Sequence, residues 1–178
     1  MTTPQQVAAA LAGPDAALAC RLIRDPEDRA AHAAIRLQVF VTEQHIFSGT
    51  DADEHDDDPA TLHVLGLVGD RPGGTVRLYP LAGDGLWQGD RLAVLPQWRH
   101  LGLGAPLVRF AVATAAALGG ERMLARVQVP NVRFFVRLGW TPVGDPGPYV
   151  GLPHQQMSIP LQATPPQNEP RSGRTKIA

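Results

Sequence analysis

The stretch Leu92–Leu118, LAVLPQWRHLGLGAPLVRFAVATAAAL, constrains the fold more than any other part of the chain. It reads as a short apolar strand, a turn at Pro96, a basic loop carrying glycines, and a long alanine-rich helix. In Arg99-His100-Leu101-Gly102-Leu103-Gly104-Ala105 the two glycines stand two apart, so backbone N–H groups can approach a ligand and then become the helix N-terminus. Such an end attracts anions. The G-x-G-x-x-G of a dinucleotide site directly after the strand is absent, and so is the Gly-Lys-Ser/Thr that ends a triphosphate loop. A bare Gly-x-Gly also opens ordinary helices, so the flanking residues have to decide.

Around this unit the chain alternates strand and helix signals. Cys20–Arg24 reads as a first strand, and Asp25-Pro26-Glu27-Asp28 as a helix start with a capping aspartate, an early proline and acids at the positive dipole end. That helix should pack on a sheet as far as about Phe40. Leu62–Val68 and Thr75–Tyr79 read as a hairpin turned over Gly69–Gly74, followed by a strand at Leu86–Leu95. After the long helix, Gly119-Gly120 marks its end. Met123–Val129 is a buried strand, Val132–Leu138 a short helix, and Trp140–Val143 and Gln156–Leu161 the last strands.

Between them lies GTDADEHDDD, Gly49–Asp58, with six acidic residues. It reads either as a solvated loop or as an electrostatic lure for a cationic substrate. A calcium loop is set aside, because the glycine and glutamate spacing of an EF-hand is missing.

Composition bounds the function. A chain of 178 residues that is 44% hydrophobic supports one domain with a substantial core, expected at 19–162 between a flexible tail at 1–18 and a disordered, proline-rich tail at 163–178. The net charge of -1 and the lack of a basic cluster with interleaved aromatics argue against a nucleic-acid partner. Cys20 is the single cysteine, which excludes an internal disulfide and suits a buried thiol in a reducing compartment. No apolar run approaches the ~18 residues of a membrane span. The expectation is a cytoplasmic protein without membrane attachment.

Arg99-x-x-Gly102-x-Gly104, placed five positions after Val94, resembles motif A of the GCN5-related N-acetyltransferases (GNAT), Arg/Gln-x-x-Gly-x-Gly/Ala. Asn131–Trp140, NVRFFVRLGW, is similar to that family's motif B. Val39–Gln44 (VFVTEQ), Asp53–Val68 and Gly74–Pro80 resemble the ElaA-like branch, and Asp53–Val68, Gly85–Pro96, Pro130–Trp140 and Tyr149–Met157 resemble a subfamily associated with nitrogen starvation. A fainter likeness links the VF…E segment to acyl-homoserine-lactone synthases.

The resemblance implies an α/β GNAT fold: a mixed, mostly antiparallel sheet of six to seven strands, helices on both faces, and strands 4 and 5 splayed apart to admit an acyl-coenzyme A. By resemblance, Arg99–Ala105 hold the pyrophosphate. Leu92, Ala93 and Val94 carry the pantetheine arm, Asn131 and Phe135 border it, and the Leu92 N–H meets the oxyanion. Acetyl-CoA is the default co-substrate, a small-molecule amine the acceptor, no metal is required, and a homodimer is possible. Transfer is expected to be direct, within a ternary complex.

Two positions depart from the family. Phe135 stands where many relatives have a tyrosine acid, and Gln88 where the histone-modifying branch has a glutamate base. An alkyl ammonium, with a pKa near ~10, must lose a proton before it can attack. His154, Tyr149 and Asp90 are therefore the catalytic candidates: His154 as base, Tyr149 as replacement acid, and Asp90 because it should alternate onto the strand face of Gln88 and Leu92. Phe40, Glu43, Gln44, His63 and Arg77 are the candidates for the acceptor pocket, with a carboxylate pairing as the competing role for Arg77. A longer acyl donor, or a CoA-binding sensor that lost its acid and base, are the other readings.

Overall fold

The computed structural model describes residues 17–162. The expected tails lie outside that range, except that Leu18 already belongs to the first strand and the Ala17 carbonyl accepts the Gly69 N–H at 2.9 Å. The elements are β1 (Leu18–Leu22), α1 (Pro26–Arg36), a π-helical segment (Leu37–Glu43), β2 (Leu62–Val68), β3 (Arg71–Pro80) and β4 (Leu86–Val94). They continue with α2 (Gly104–Ala117), β5 (Arg122–Gln128), α3 (Val132–Arg137), β6 (Thr141–Tyr149) and β7 (Leu152–Pro160).

The seven strands form one sheet in the order β1-β2-β3-β4-β5-β7-β6. Every neighbouring pair is antiparallel except β4 and β5, which run parallel. One face buries Val76, Leu78, Trp87 and Met123 against Leu107, Ala111 and Ala115 of α2. The other buries Leu65 and Ala93 against Ile35, Val39 and Phe40 of α1 and the π segment. The expected architecture, with helices on both faces, is the one observed.

Local chemistry explains how the two helical layers are seated. The Asp25 carboxylate accepts the Asp28 N–H at 2.9 Å and Pro26 opens α1, where no intrahelical donor is needed. α2 reaches the sheet because glycines clear its path: a Cβ on Gly74 would stand 2.7 Å from Leu107 and 2.9 Å from the Ala93 carbonyl. Leu103 and Trp98 fill the same trench, so the loop before α2 is fixed by packing.

Four features differ from the sequence reading. β1 lies two residues earlier than expected. β3 begins at Arg71, so most of the expected Gly69–Gly74 turn is strand. β6 and β7 are longer than expected and meet in a tight hairpin whose central residues, Val150 and Gly151, both have positive φ (45° and 79°). A valine disfavours that conformation, which is why the turn left no signal.

The fourth is a bulge in β4. Thr75 pairs with Ala93 and Arg77 with Asp90, so β4 spends one residue more than β3, and Arg91 sits there with φ of 51°. The extra residue reverses the alternation. Asp90 lies on the α1 face with Arg77, whereas Leu92 packs into the α2 face. Asp90 and Leu92 were expected on one face, and the bulge corrects that.

Candidate active site

β4 and β5 are paired at four positions only, from Leu86↔Arg122 to Gly89↔Ala125. Beyond Gly89 the strands separate, and Asp90–Val94 has no strand on its β5 side. A cavity of about 470 Å³ occupies the gap. Val108, Ala111 and Phe135 line it on the α2 face, and Phe40, Tyr149 and His154 on the α1 face, so the opening passes through the sheet.

At the α2 end, Pro96–Leu101 folds as a 3₁₀ turn and Gly102 takes φ of 76°, with open space where a Cβ would be. No side chain caps α2; the Ala105 N–H donates to the Gly102 carbonyl at 3.3 Å and Pro106 has none, so an anion at this end would meet the backbone of Leu103 and Gly104. The Leu103 side chain is fully buried, so that residue can offer only its backbone. Arg99 donates from Nε to the Val94 carbonyl at 3.0 Å and grips Glu43 through both guanidinium nitrogens at 2.6 and 2.7 Å. Glu43 thus faces the loop, and the cavity wall is made by its neighbours. The Val94 carbonyl, on the stretch expected to carry the pantetheine, accepts this bond from Arg99. An acyl-CoA fits the remaining features: an uncapped helix end, a glycine with free space, an open strand edge, and Asn131 and Phe135 beside it.

On the α1 face the π segment sets the wall. Its i→i+5 bond, Gln44 N–H to the Val39 carbonyl at 2.9 Å, ends at His45, and the chain then folds back so that Ile46 and Phe47 both donate to the Phe40 carbonyl. Phe40, Ile46 and Phe47 line the cavity as a result. Gln44 does not line it, but accepts from Gln128 Nε2 at 3.1 Å, joining the π segment to the far end of β5 across the gap.

His154 is 8% exposed and its Nδ1 lies 3.0 Å from the Leu152 carbonyl. A carbonyl only accepts, so Nδ1 carries a proton, and in the neutral ring Nε2 is then the nitrogen with the lone pair. The Tyr149 ring meets His154 edge-on at 5.2 Å, and the Arg126 guanidinium covers the other side of this group, 4.9 Å from the Tyr149 ring centre. Both Tyr149 and Arg126 line the cavity. Arg126 was missed in the sequence, although the burial of Met123, Ala125 and Val127 on the α2 face puts Arg126 on the opposite one.

The acidic stretch is neither solvated nor a free lure at its key positions. Asp51, Asp53 and Asp56 enter a buried ionic cluster with Arg36, Arg77 and Arg91. Arg77 has no exposed surface and also binds both oxygens of Asp90, at 2.8 and 2.7 Å. Arg77 is therefore a structural cation and cannot meet an acceptor. Asp90 does line the cavity, but with its carboxylate engaged, and the Tyr79 hydroxyl stands 3.5 Å from it. Burial outweighs everything else on Tyr79 and pushes its phenol up, with the Asp90 charge adding to the rise. For Asp56 the Arg36 guanidinium overcomes the cost of burial and holds the carboxyl well below its usual range.

His63 is placed elsewhere altogether. It is buried against His32, ring centres 5.0 Å apart, beside a second cavity under α1, so it takes no part in the acceptor pocket. Neither Nε2 has a hydrogen-bond partner, and burial pushes the His32 imidazole down to about 3 and that of His63 down as well. Among the described residues no three His, Cys, Asp or Glu side chains are placed to hold a metal, and no helix is long and apolar enough to cross a membrane.

The sequence profile of the acetyltransferase (GNAT) family matches residues 25–140. The chain is 27% identical over 124 residues to the uncharacterised N-acetyltransferase YjcF of Bacillus subtilis (strain 168), covering 69% of this chain and 86% of that one. The fold superposes on Escherichia coli ElaA with a TM-score of 0.71, at 20% identity, over 80% of this chain and 99% of ElaA. It also superposes on BjaI, a CoA-dependent acyl-homoserine lactone synthase solved with SAM and isopentyl-CoA, with a TM-score of 0.65, at 22% identity, over 77% of this chain and 78% of that one.

Proposed function

Because the chain belongs to the acetyltransferase (GNAT) family, we propose that it transfers an acetyl group from acetyl-CoA to a small-molecule amine, directly, while both substrates are bound. The observation that carries this reading is the β4 edge left without a partner strand from Asp90 onward, beside a cavity open to both faces of the sheet. A donor reaching in from the α2 face and an amine from the α1 face meet near Leu92. The donor supplies an acyl group activated as a thioester, so the chain needs no nucleophile of its own.

In this reading the uncapped end of α2 and the backbone of His100–Ala105 bind the diphosphate, while Phe135 and Asn131 flank the arm. Phe135 is held between Phe134 and Trp140 by edge-to-face contacts at 5.3 and 5.4 Å, and has no proton to give. His154 accepts the amine's proton at Nε2, the nitrogen left free by the Leu152 carbonyl. Tyr149, in contact with His154, is the donor in reach of the departing thiolate. The Leu92 N–H meets the developing oxyanion, where one such donor is worth a factor of about 10² in rate.

Two-substrate initial rates of thiol release test the scheme. Intersecting double-reciprocal lines are expected; parallel lines would mean an acyl-enzyme and overturn direct transfer. Loss of the whole reading follows if calorimetry registers no CoA or acetyl-CoA binding at millimolar ligand. Faster turnover with a longer acyl-CoA would reassign the donor.

A further inference from the structure

Two arginines line the cavity, Arg91 and Arg126, and they differ in what they meet. Arg91 is buried and holds Asp51 at 3.0 Å and Asp53 at 3.1 Å. Arg126 forms no ion pair with a carboxylate among the described residues, and its guanidinium lies 4.9 Å from the Tyr149 ring centre. A guanidinium over an aromatic ring at a cavity wall keeps its in-plane N–H donors free, in the fork geometry that matches a carboxylate.

The opposite wall carries the complementary sign. In the buried cluster four aspartates (Asp51, Asp53, Asp56, Asp90) face three arginines (Arg36, Arg77, Arg91), which leaves one negative charge in excess. Asp90 brings that excess to the cavity surface. The parallel register places Asp90 and Arg126 one residue past the last paired position, Gly89↔Ala125, so they flank the start of the gap from β4 and β5. The surface around them is apolar and aromatic, through Phe40, Phe47, Leu81 and Tyr149.

We propose that the acceptor is an α-amino acid with an apolar or aromatic side chain, its carboxylate held by Arg126 and its amino group turned toward Asp90 and His154. This rests on the acyl-CoA reading above and narrows it to a substrate class, with Arg126 as the specificity-determining residue. An amine lacking the carboxylate leaves Arg126 unmatched, whereas a substrate with a second positive charge would be repelled by it.

The test uses full-length protein, acetyl-CoA, and matched acceptors with and without the carboxylate: phenylalanine against phenethylamine, leucine against isoamylamine. The expected result is a kcat/KM at least about tenfold higher for the carboxylated member of each pair, since hydrogen bonds to a charged group are the stronger kind. Arg126→Gln should abolish that preference mainly through KM, and Arg126→Lys should restore part of it. Arg126 is exposed, so both variants should fold, which CoA calorimetry verifies. Equal or better turnover of the decarboxylated amines overturns the inference, as does a preference that survives Arg126→Gln, or acetylation of neither member by an enzyme that binds acetyl-CoA. Failure to bind CoA at all would instead remove the acyl-CoA reading beneath it.

Discussion

On the β4 side of the cavity three guanidinium groups meet four carboxylates, and Arg77 alone contacts Asp53, Asp56 and Asp90. On the β5–β7 side Arg126, Tyr149 and His154 touch one another only through ring contacts near 5 Å, and the His154 Nε2 is left with a lone pair. The first wall has the higher charge density and almost no unused bonding capacity. The second has few charges and keeps its donors and acceptors free. Charge density therefore marks the scaffold in this protein, and the sparsely polar wall is where chemistry has room.

The sharpest way to break that contrast is to open the saturated wall. Arg77→Met should destabilise the protein by up to about 3–5 kcal/mol, because it removes a fully buried cation and leaves the half-buried Asp53, Asp56 and Asp90 to share Arg36 and Arg91. Urea unfolding of parent and variant measures it. A loss below about 1 kcal/mol would mean that water already reaches the cluster and that the two walls differ less than their geometry suggests.

The free wall should respond in rate instead of stability. His154→Asn keeps an N–H near Nδ1 for the Leu152 carbonyl and removes the basic Nε2, so kcat should fall about 10²-fold or more with little change in unfolding free energy. An unchanged rate would take His154 out of the mechanism.

Much of the scaffold could be read from the residues alone, for reasons visible in this same contrast. The strand, glycine loop and helix of Leu92–Ala117 are local features, written in periodicity and turn residues within one window. The ionic cluster is not local: three of its four acids lie together at Asp51–Asp56, but Asp90 is on β4 and Arg36, Arg77 and Arg91 come from three separate elements. Nor could the bulge be foreseen, since the residue at positive φ is Arg91 instead of a glycine, and it moves Asp90 to the other face from Leu92. Only the splay beyond Gly89 turns Arg126, an ordinary exposed strand arginine, into part of a cavity wall.

The histidine pair under α1, outside both walls, offers a smaller probe of the scaffold. His32 and His63 are held neutral by burial, with folded pKa values below those of the unfolded chain. Below the unfolded value near 6.5 the unfolded chain binds more protons than the native one, so this stabilisation is complete above about pH 6.5. It is lost as pH falls toward the folded value of about 3 for His32. The slope is at most about 1.4 kcal/mol per pH unit for each histidine. Urea midpoints between pH 7 and pH 4 should show it, and His32→Phe should reduce it. A stability that stays flat over that interval would mean that both imidazoles find partners on protonation.

The smallest expected effect lies where the two halves meet, at the exposed pair of Glu43 and Arg99. Exposed ion pairs contribute little, so Glu43→Gln should change stability by less than about 1 kcal/mol. Its effect on CoA should have the opposite sign to that of most site mutations. Glu43 neutralises Arg99 beside the proposed diphosphate site, and removing that carboxylate exposes one more positive charge to the ligand. At a separation of roughly 7 Å in a medium close to water this is worth about 0.6 kcal/mol, or about threefold tighter binding. Calorimetry at low salt should detect it, and about 1 M salt should erase it, because screening then acts over about 3 Å. Weaker binding at every ionic strength would show instead that the bidentate grip on Arg99 is what shapes the loop, and that its geometry matters more to the ligand than its charge.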